Sequence, residues 1–214
     1  MSLFLALDHG LPFAAAAARG SIAIVAAECA FAIVYAHVER GWPLALGAAS
    51  AAYVIAGVAL APLDVGPLPL AIAMIVVLLV ARRLVPRCEP PSARPARAAP
   101  AWDLPLRVVV TTGLVLVITF VAPALGPYGS AVVASFPLYA SVLAVFAERH
   151  GGHADASEIM RGLVNGLFGF TAFFLVVALA LETLGTVATF AIATATVLIV
   201  QAIALAMLRR SGSA

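Results

Sequence analysis

Few side chains in this sequence could do chemistry, and the most isolated is Glu28. It lies near the middle of an apolar run from Gly20 to His37. A helix of about 18 residues at ~1.5 Å per residue rises ~27 Å, about one thickness of bilayer hydrocarbon. A carboxyl at that depth is costly, and ionisable groups inside spans mark substrate or ion pathways. No cationic residue lies at matching depth in the other apolar runs. The neutral, protonated form is therefore the cheaper one, and the chemistry on offer is proton or cation coupling. The plainer alternative is a neutral carboxyl hydrogen-bonded to a helix neighbour.

The other polar candidates sit in the second half. Ser135-Phe136-Pro137 stands near the start of an apolar run, with Ser141 one turn on. A proline inside a span frees a carbonyl that a neighbour or ligand must satisfy. Ser135, Pro137 and Ser141 would then line a discontinuous helix. An ordinary first-turn proline with a packing kink is the simpler reading. Asn165 could hydrogen-bond across helices. It sits beside Gly162, Gly166 and Gly169, whose spacing suits close helix packing. Thr186, Thr189, Thr194, Thr196 and Gln201 make the last apolar run the most polar. They form either a polar path or hydroxyls bonded to their own carbonyls four residues back. His150-x-x-His153-x-Asp155-x-x-Glu158 has metal-ligand residue types. Gly151 and Gly152 loosen that segment, so a solvated loop is expected and no metal or cofactor. No nucleophile–base–acid set, phosphate loop or dinucleotide turn is present, and enzyme chemistry is not expected.

These groups must be carried by membrane-spanning helices. The chain is 64% hydrophobic and 10% charged, with mean hydropathy +1.12. Soluble domains carry about 25% charged residues, so this chain could not cover a water-facing surface. The continuous, non-alternating apolar runs exclude a closed barrel. The expected fold class is all-α, a polytopic bundle of seven spans: 20–37, 43–61, 66–81, 105–123, 130–147, 162–181 and 186–208. Pro67 and Pro69 suit the first turn of the third. Leu3 to Leu7 is too short for a signal-peptide core. Cys29 lies in a span and Cys88 in a linker, so no disulfide is expected.

The segment 86–103 holds five prolines and three arginines and reads as an extended linker. It separates three front helices (1–85) from four back helices (104–214). All 12 basic residues are arginine, and they cluster between apolar runs. The positive-inside rule then makes the linker, Arg40, 148–161 and the C-terminus cytoplasmic and the N-terminus external. Trp42 and Trp102 fall at the inner interface. The net charge of +2 needs no nucleic-acid partner. The expected partners are the bilayer, an anionic lipid at the inner face, and a second copy of the chain in a homo-oligomer. Arg107 either snorkels to the interface or binds such a lipid. All-arginine, alanine-rich usage points to a GC-rich bacterial source, and hence to a multi-pass inner-membrane location.

Polar anchors recur along the chain. Arg19-Gly20…Glu39 and Arg161-Gly162…Glu182 each open an apolar helix, close it with Glu and lead into a second. His9-Gly10 matches His150-Gly151 upstream. Five predicted crossings separate the copies, so a duplication would be inverted, a common plan in secondary transporters. The front copy lacks counterparts of 105–123 and most of 130–147. It is either degenerate or begins inside a longer ancestral frame.

From Trp102 to about Ala206 the chain resembles the GlpM-like small bacterial inner-membrane proteins. The resemblance is carried by Ser135-Phe136-Pro137, Ala147-Glu148-Arg149-His150-Gly151, and Arg161-Gly162 before Phe168, Phe170, Phe173 and Phe174. It implies membrane location and no particular activity. The functional expectation is a small secondary transporter or permease-like protein of unknown substrate. The alternative is a non-transporting scaffold or assembly subunit.

Overall fold

The computed structural model describes residues 11–60, 65–87, 102–121 and 135–211. Among them all regular structure is helical. Helices α1 (Leu11–Ala23) and α2 (Val25–His37) join at Ile24, whose N–H still reaches the Gly20 carbonyl at 3.1 Å. Then come α3 (Trp42–Leu60), α4 (Pro67–Leu84), α5 (Asp103–Val121), α6 (Leu138–Gly151) and α7 (His153–Ser211).

Local chemistry explains the boundaries. Gly41 at φ 93° ends the turn before α3, and its carbonyl receives the Ala45 N–H. Pro43, Pro67 and Pro69 stand in first turns, where a missing N–H costs nothing. Pro137 precedes α6 with ψ 59°, outside the helical region. Gly152 separates α6 from α7 at φ 95° and ψ −178°, backbone that essentially only glycine adopts.

The expected seven spans meet four described helices long and apolar enough to cross a membrane: Ala17–His37, Trp42–Leu60, Pro67–Leu84 and His153–Ala206. The predicted span 105–123 lies on α5, whose apolar stretch Leu104–Val117 is shorter. The predicted span 130–147 is corrected to a helix beginning at Leu138, because Pro137 holds the chain out of helix. Residues 130–134 and most of the linker 86–103 lie outside the described residues. The predicted spans 162–181 and 186–208 both fall in α7. A straight helix of 54 residues would be about 81 Å long at ~1.5 Å per residue, far more than a bilayer. Gly185, at φ 73° and ψ 175°, breaks it.

The solvent exposure fits a membrane protein. On α4, Leu70, Ala71, Met74, Leu78 and Ala81 form a buried stripe, while Leu68, Ile72, Ile75, Val76, Leu79 and Val80 are exposed. A helix apolar on every side suits lipid, not water.

The chain divides into two compact units. The first comprises Met1–Ala26, Leu60–Val80 and Val164–Ala214. In it α7 folds back on itself at Gly185. Gln201 donates to the Gly166 carbonyl at 3.2 Å, and Phe190 meets Phe173 with centroids 5.9 Å apart. Ala193 is buried with Val177, Leu181 and Ala18. Later residues pair with earlier ones, so the two halves run antiparallel. The second unit comprises Ala27–Ala59 and Ala81–Leu163, and in it α5 packs on α6.

Candidate functional site

The site is built in the second unit, on one face of α2. Glu28, Phe31 and Tyr35 follow at i, i+3 and i+7, which aligns them along the helix. Phe31 and Tyr35 are fully buried and Glu28 is 8% exposed. Glu28 lies within electrostatic reach of its neighbour Cys29 and of Tyr53 on α3. Its Oε2 is buried and has no hydrogen-bond partner among the described residues. Native structures pair most buried polar atoms, so this oxygen is an exception that calls for a cause.

Aromatic rings continue from Glu28 along the same face. Phe136, in the turn before α6, meets Phe31 edge-on at 5.6 Å and Tyr53 edge-on at 5.3 Å. Phe31 also contacts Tyr35, with centroids 6.1 Å apart. Tyr35 then donates its hydroxyl hydrogen to Glu148 Oε2 at 3.1 Å. His153 completes the far end. Its Nδ1 lies 3.7 Å from the same Oε2, and its Nε2 lies 3.0 Å from the Ala36 carbonyl. Two carboxyl groups thus flank a stack of rings. Along α2 the step of seven positions from Glu28 to Tyr35 corresponds to about 10 Å of rise.

The predicted site residues are only partly gathered. Ser135 is half-buried in the turn beside Phe136. Pro137 is buried at the start of α6. Ser141 is buried and donates to the Pro137 carbonyl at 2.8 Å. The carbonyl that Pro137 was expected to free belongs to the residue four places earlier, outside the described residues, and Pro137 itself stands just before the first turn of α6. Asn165 is half-buried and belongs to the first unit. Of the three expected packing glycines on α7, only Gly169 is closely approached: Gln201 Nε2 lies 2.6 Å from where a Cβ would stand. Gly162 and Gly166 have open space at that position. The packing contact therefore belongs to Gly169, with Gly166 contributing its carbonyl.

Two further expectations are corrected. The loop expected over 148–161 is a helical elbow, closed by Gly152 alone. Arg161 does not begin its helix at a water interface. It is buried inside α7 and donates to the Val85 carbonyl at the end of α4, 3.3 Å away, where a cation suits the helix dipole. Arg107 turns onto the ring of Phe146, 5.1 Å from its centroid, a cation–π contact. Thr194 and Thr196 follow the self-bonding reading, whereas the buried Thr189 Oγ1 has no hydrogen-bond partner among the described residues. Thr194 and Thr196 donate to Phe190 and Ile192 at 2.8 and 2.9 Å, and buried Thr171 donates to Leu167 at 2.8 Å. Among the described residues no three His, Cys, Asp or Glu side chains are grouped to hold a metal ion.

Tyr35, Tyr53 and Phe31 escaped the sequence reading, and Phe136, Glu148 and His153 entered it only as motif residues with no expected contact to α2. Tyr35 carried a signal, since it is the polar residue seven places from Glu28 on the same helical face. Pairing with Glu148, 113 residues away in sequence, carried none. No family model matches the chain, and neither a curated protein nor a solved structure matches it.

Proposed function

We propose that this chain is a multi-pass bacterial inner-membrane protein that acts as a small secondary transporter or permease of unknown substrate, with Glu28 as its proton- or cation-coupling residue. The observation that carries the reading is the unpaired, buried Oε2 of Glu28 within an apolar span. A carboxyl kept only for stability would have its oxygens satisfied. One left open suits a proton or cation that arrives and leaves. Kinship with GlpM-like proteins, resting on the motifs of the back half, is part of the same proposal.

An inverted repeat supports it. Glu39 and Glu182 are each followed within three residues by a left-handed glycine, Gly41 at φ 93° and Gly185 at φ 73°. A second helical run starts after each. This shared local break adds to the polar anchors of the two copies. The test is proton or solute flux in proteoliposomes, comparing wild type with Glu28→Gln.

A second reading, the scaffold, draws on α5, where Leu104, Val108, Val109, Val115, Leu116 and Val117 are all exposed. Such a face suits lipid or another membrane helix. Its mark would be a stable partner and no flux.

A further inference from the structure

Glu148 and His153 stand at the far end of the ring stack from Glu28, and their geometry leaves one proton to be placed. A carbonyl oxygen only accepts, so the bond to Ala36 fixes a hydrogen on His153 Nε2. In a neutral imidazole Nδ1 is then a bare lone pair. That nitrogen is buried and has no hydrogen-bond partner among the described residues. It faces Glu148 Oε2 at 3.7 Å. A lone pair opposed to a carboxylate oxygen is unfavourable. One proton reverses the sign, giving either an imidazolium N–H pointing at a carboxylate or a carboxylic O–H pointing at Nδ1. The two forms differ only in which atom carries the proton.

We infer that Glu148 and His153 together form a binding site for one proton, and that this proton fastens the C-terminal end of α2 to the elbow between α6 and α7. The proton comes from water and returns to it. With it bound, a small approach converts the 3.7 Å contact into a charge-assisted hydrogen bond. Without it, carboxylate and lone pair repel and the contact opens. The contact is therefore closed on the acid side and opens as pH rises.

The surroundings hold the pair in place. Tyr35, fully buried on α2, donates to the same Oε2, so the carboxyl is tied from the opposite side. Several other ionisable groups of these elements have contacts of their own or are exposed. His37 at the end of α2 bonds the Ile33 carbonyl, and His150 on α6 bonds the Phe146 carbonyl. Asp155 on α7 lies over Gly151, where a Cβ would overlap its carboxylate. Arg107 on α5 lies over Phe146, and Arg149 on α6 is exposed. The site does not depend on the transporter reading, because neither residue touches Glu28 and the proton would bind in a scaffold as well.

The test is nitrogen NMR of the full chain in lipid bilayers with labelled histidine. The chain has four histidines, and His153 is assigned by loss of its signals in His153→Gln. On the acid side the wild type should show Nε2 protonated and Nδ1 hydrogen-bonded to, or sharing a proton with, Glu148. Raising the pH should strip Nδ1 alone and shift the Ala36 carbonyl signal. Glu148→Ala should give a bare Nδ1 under conditions where the wild type still holds the proton. Should Glu148→Ala fail to fold, Glu148→Gln serves, since its amide N–H can meet Nδ1 at any pH and should leave the Ala36 signal independent of pH. A wild-type Nδ1 that stays bare at every pH where the protein is folded overturns the inference. So does an Ala36 shift that tracks pH equally in Glu148→Gln.

Discussion

Phe31 and Phe136 meet edge to face, their ring centroids 5.6 Å apart and their planes at 88°. The contact joins the turn before α6 to the face of α2 that carries Glu28 and Tyr35. Tyr53 meets the other edge of the arrangement at 5.3 Å, so Phe136 holds two aromatic partners at once. Edge-to-face pairs contribute about 0.5–1.5 kcal/mol each beyond area burial. Phe136→Ala should therefore destabilise by about 3 kcal/mol, near the lower end for a core phenylalanine. Phe136→Leu should cost less. Unfolding midpoints in mild detergent measure both, and equal costs would show that ring geometry is unimportant.

Gly169 and Gln201 make a second test. A Cβ at Gly169 would stand 2.6 Å from Gln201 Nε2, so Gly169→Ala must displace that side chain and break its bond to Gly166. Interhelical hydrogen bonds in membranes average about 0.6 kcal/mol and reach ~1.7. Gly169→Ala and Gln201→Ala should each cost about 1 kcal/mol, and the double variant little more than either. Gly162→Ala, where space is open, should be neutral or stabilising by up to ~1 kcal/mol. A costly Gly162→Ala would restore it to the packing face.

Gly185 is the hinge of the α7 hairpin. At φ 73° and ψ 175° it lies where other residues pay about 1–3 kcal/mol. Gly185→Ala should lower stability by that amount, and Gly41→Ala should show a similar loss. A neutral Gly185→Ala would mean that the break relaxes to ordinary backbone.

Topology is open to cysteine labelling from each side. The arginine distribution predicts Cys88 on the cytoplasmic side. The inverted repeat predicts that single cysteines near Arg40 and near Glu182 report opposite sides. Labelling of both from the same side would remove the duplication, and external labelling of Cys88 would reverse the map.

Helix type, apolar character and most boundaries were legible because they depend on local chemistry. Pro67, Pro69 and the run from Trp42 to Leu60 read directly. The separation of the last two predicted spans corresponds to Gly185, although that glycine was not singled out. The elbow at Gly152 was misread as a loop, since one left-handed glycine leaves both neighbours free to be helical. Glu28 was legible as an isolated charge in an apolar run. Its surroundings were not, because Phe136, Tyr53 and Glu148 reach α2 through tertiary packing that no local pattern encodes. Arg161 was placed at an interface by charge alone, whereas the end of α4 offered it a carbonyl.

The central claim is that the open carboxyl of Glu28 couples transport. The most direct measurement is proton or solute flux, over a broad substrate panel, in proteoliposomes holding wild type or Glu28→Gln. Glutamine keeps the volume and hydrogen bonding of the side chain but cannot ionise. Flux is expected in the wild type, and loss of coupling in a Glu28→Gln protein that still inserts and folds. Unchanged coupled flux in Glu28→Gln, or none from the wild type with any substrate, would contradict the claim.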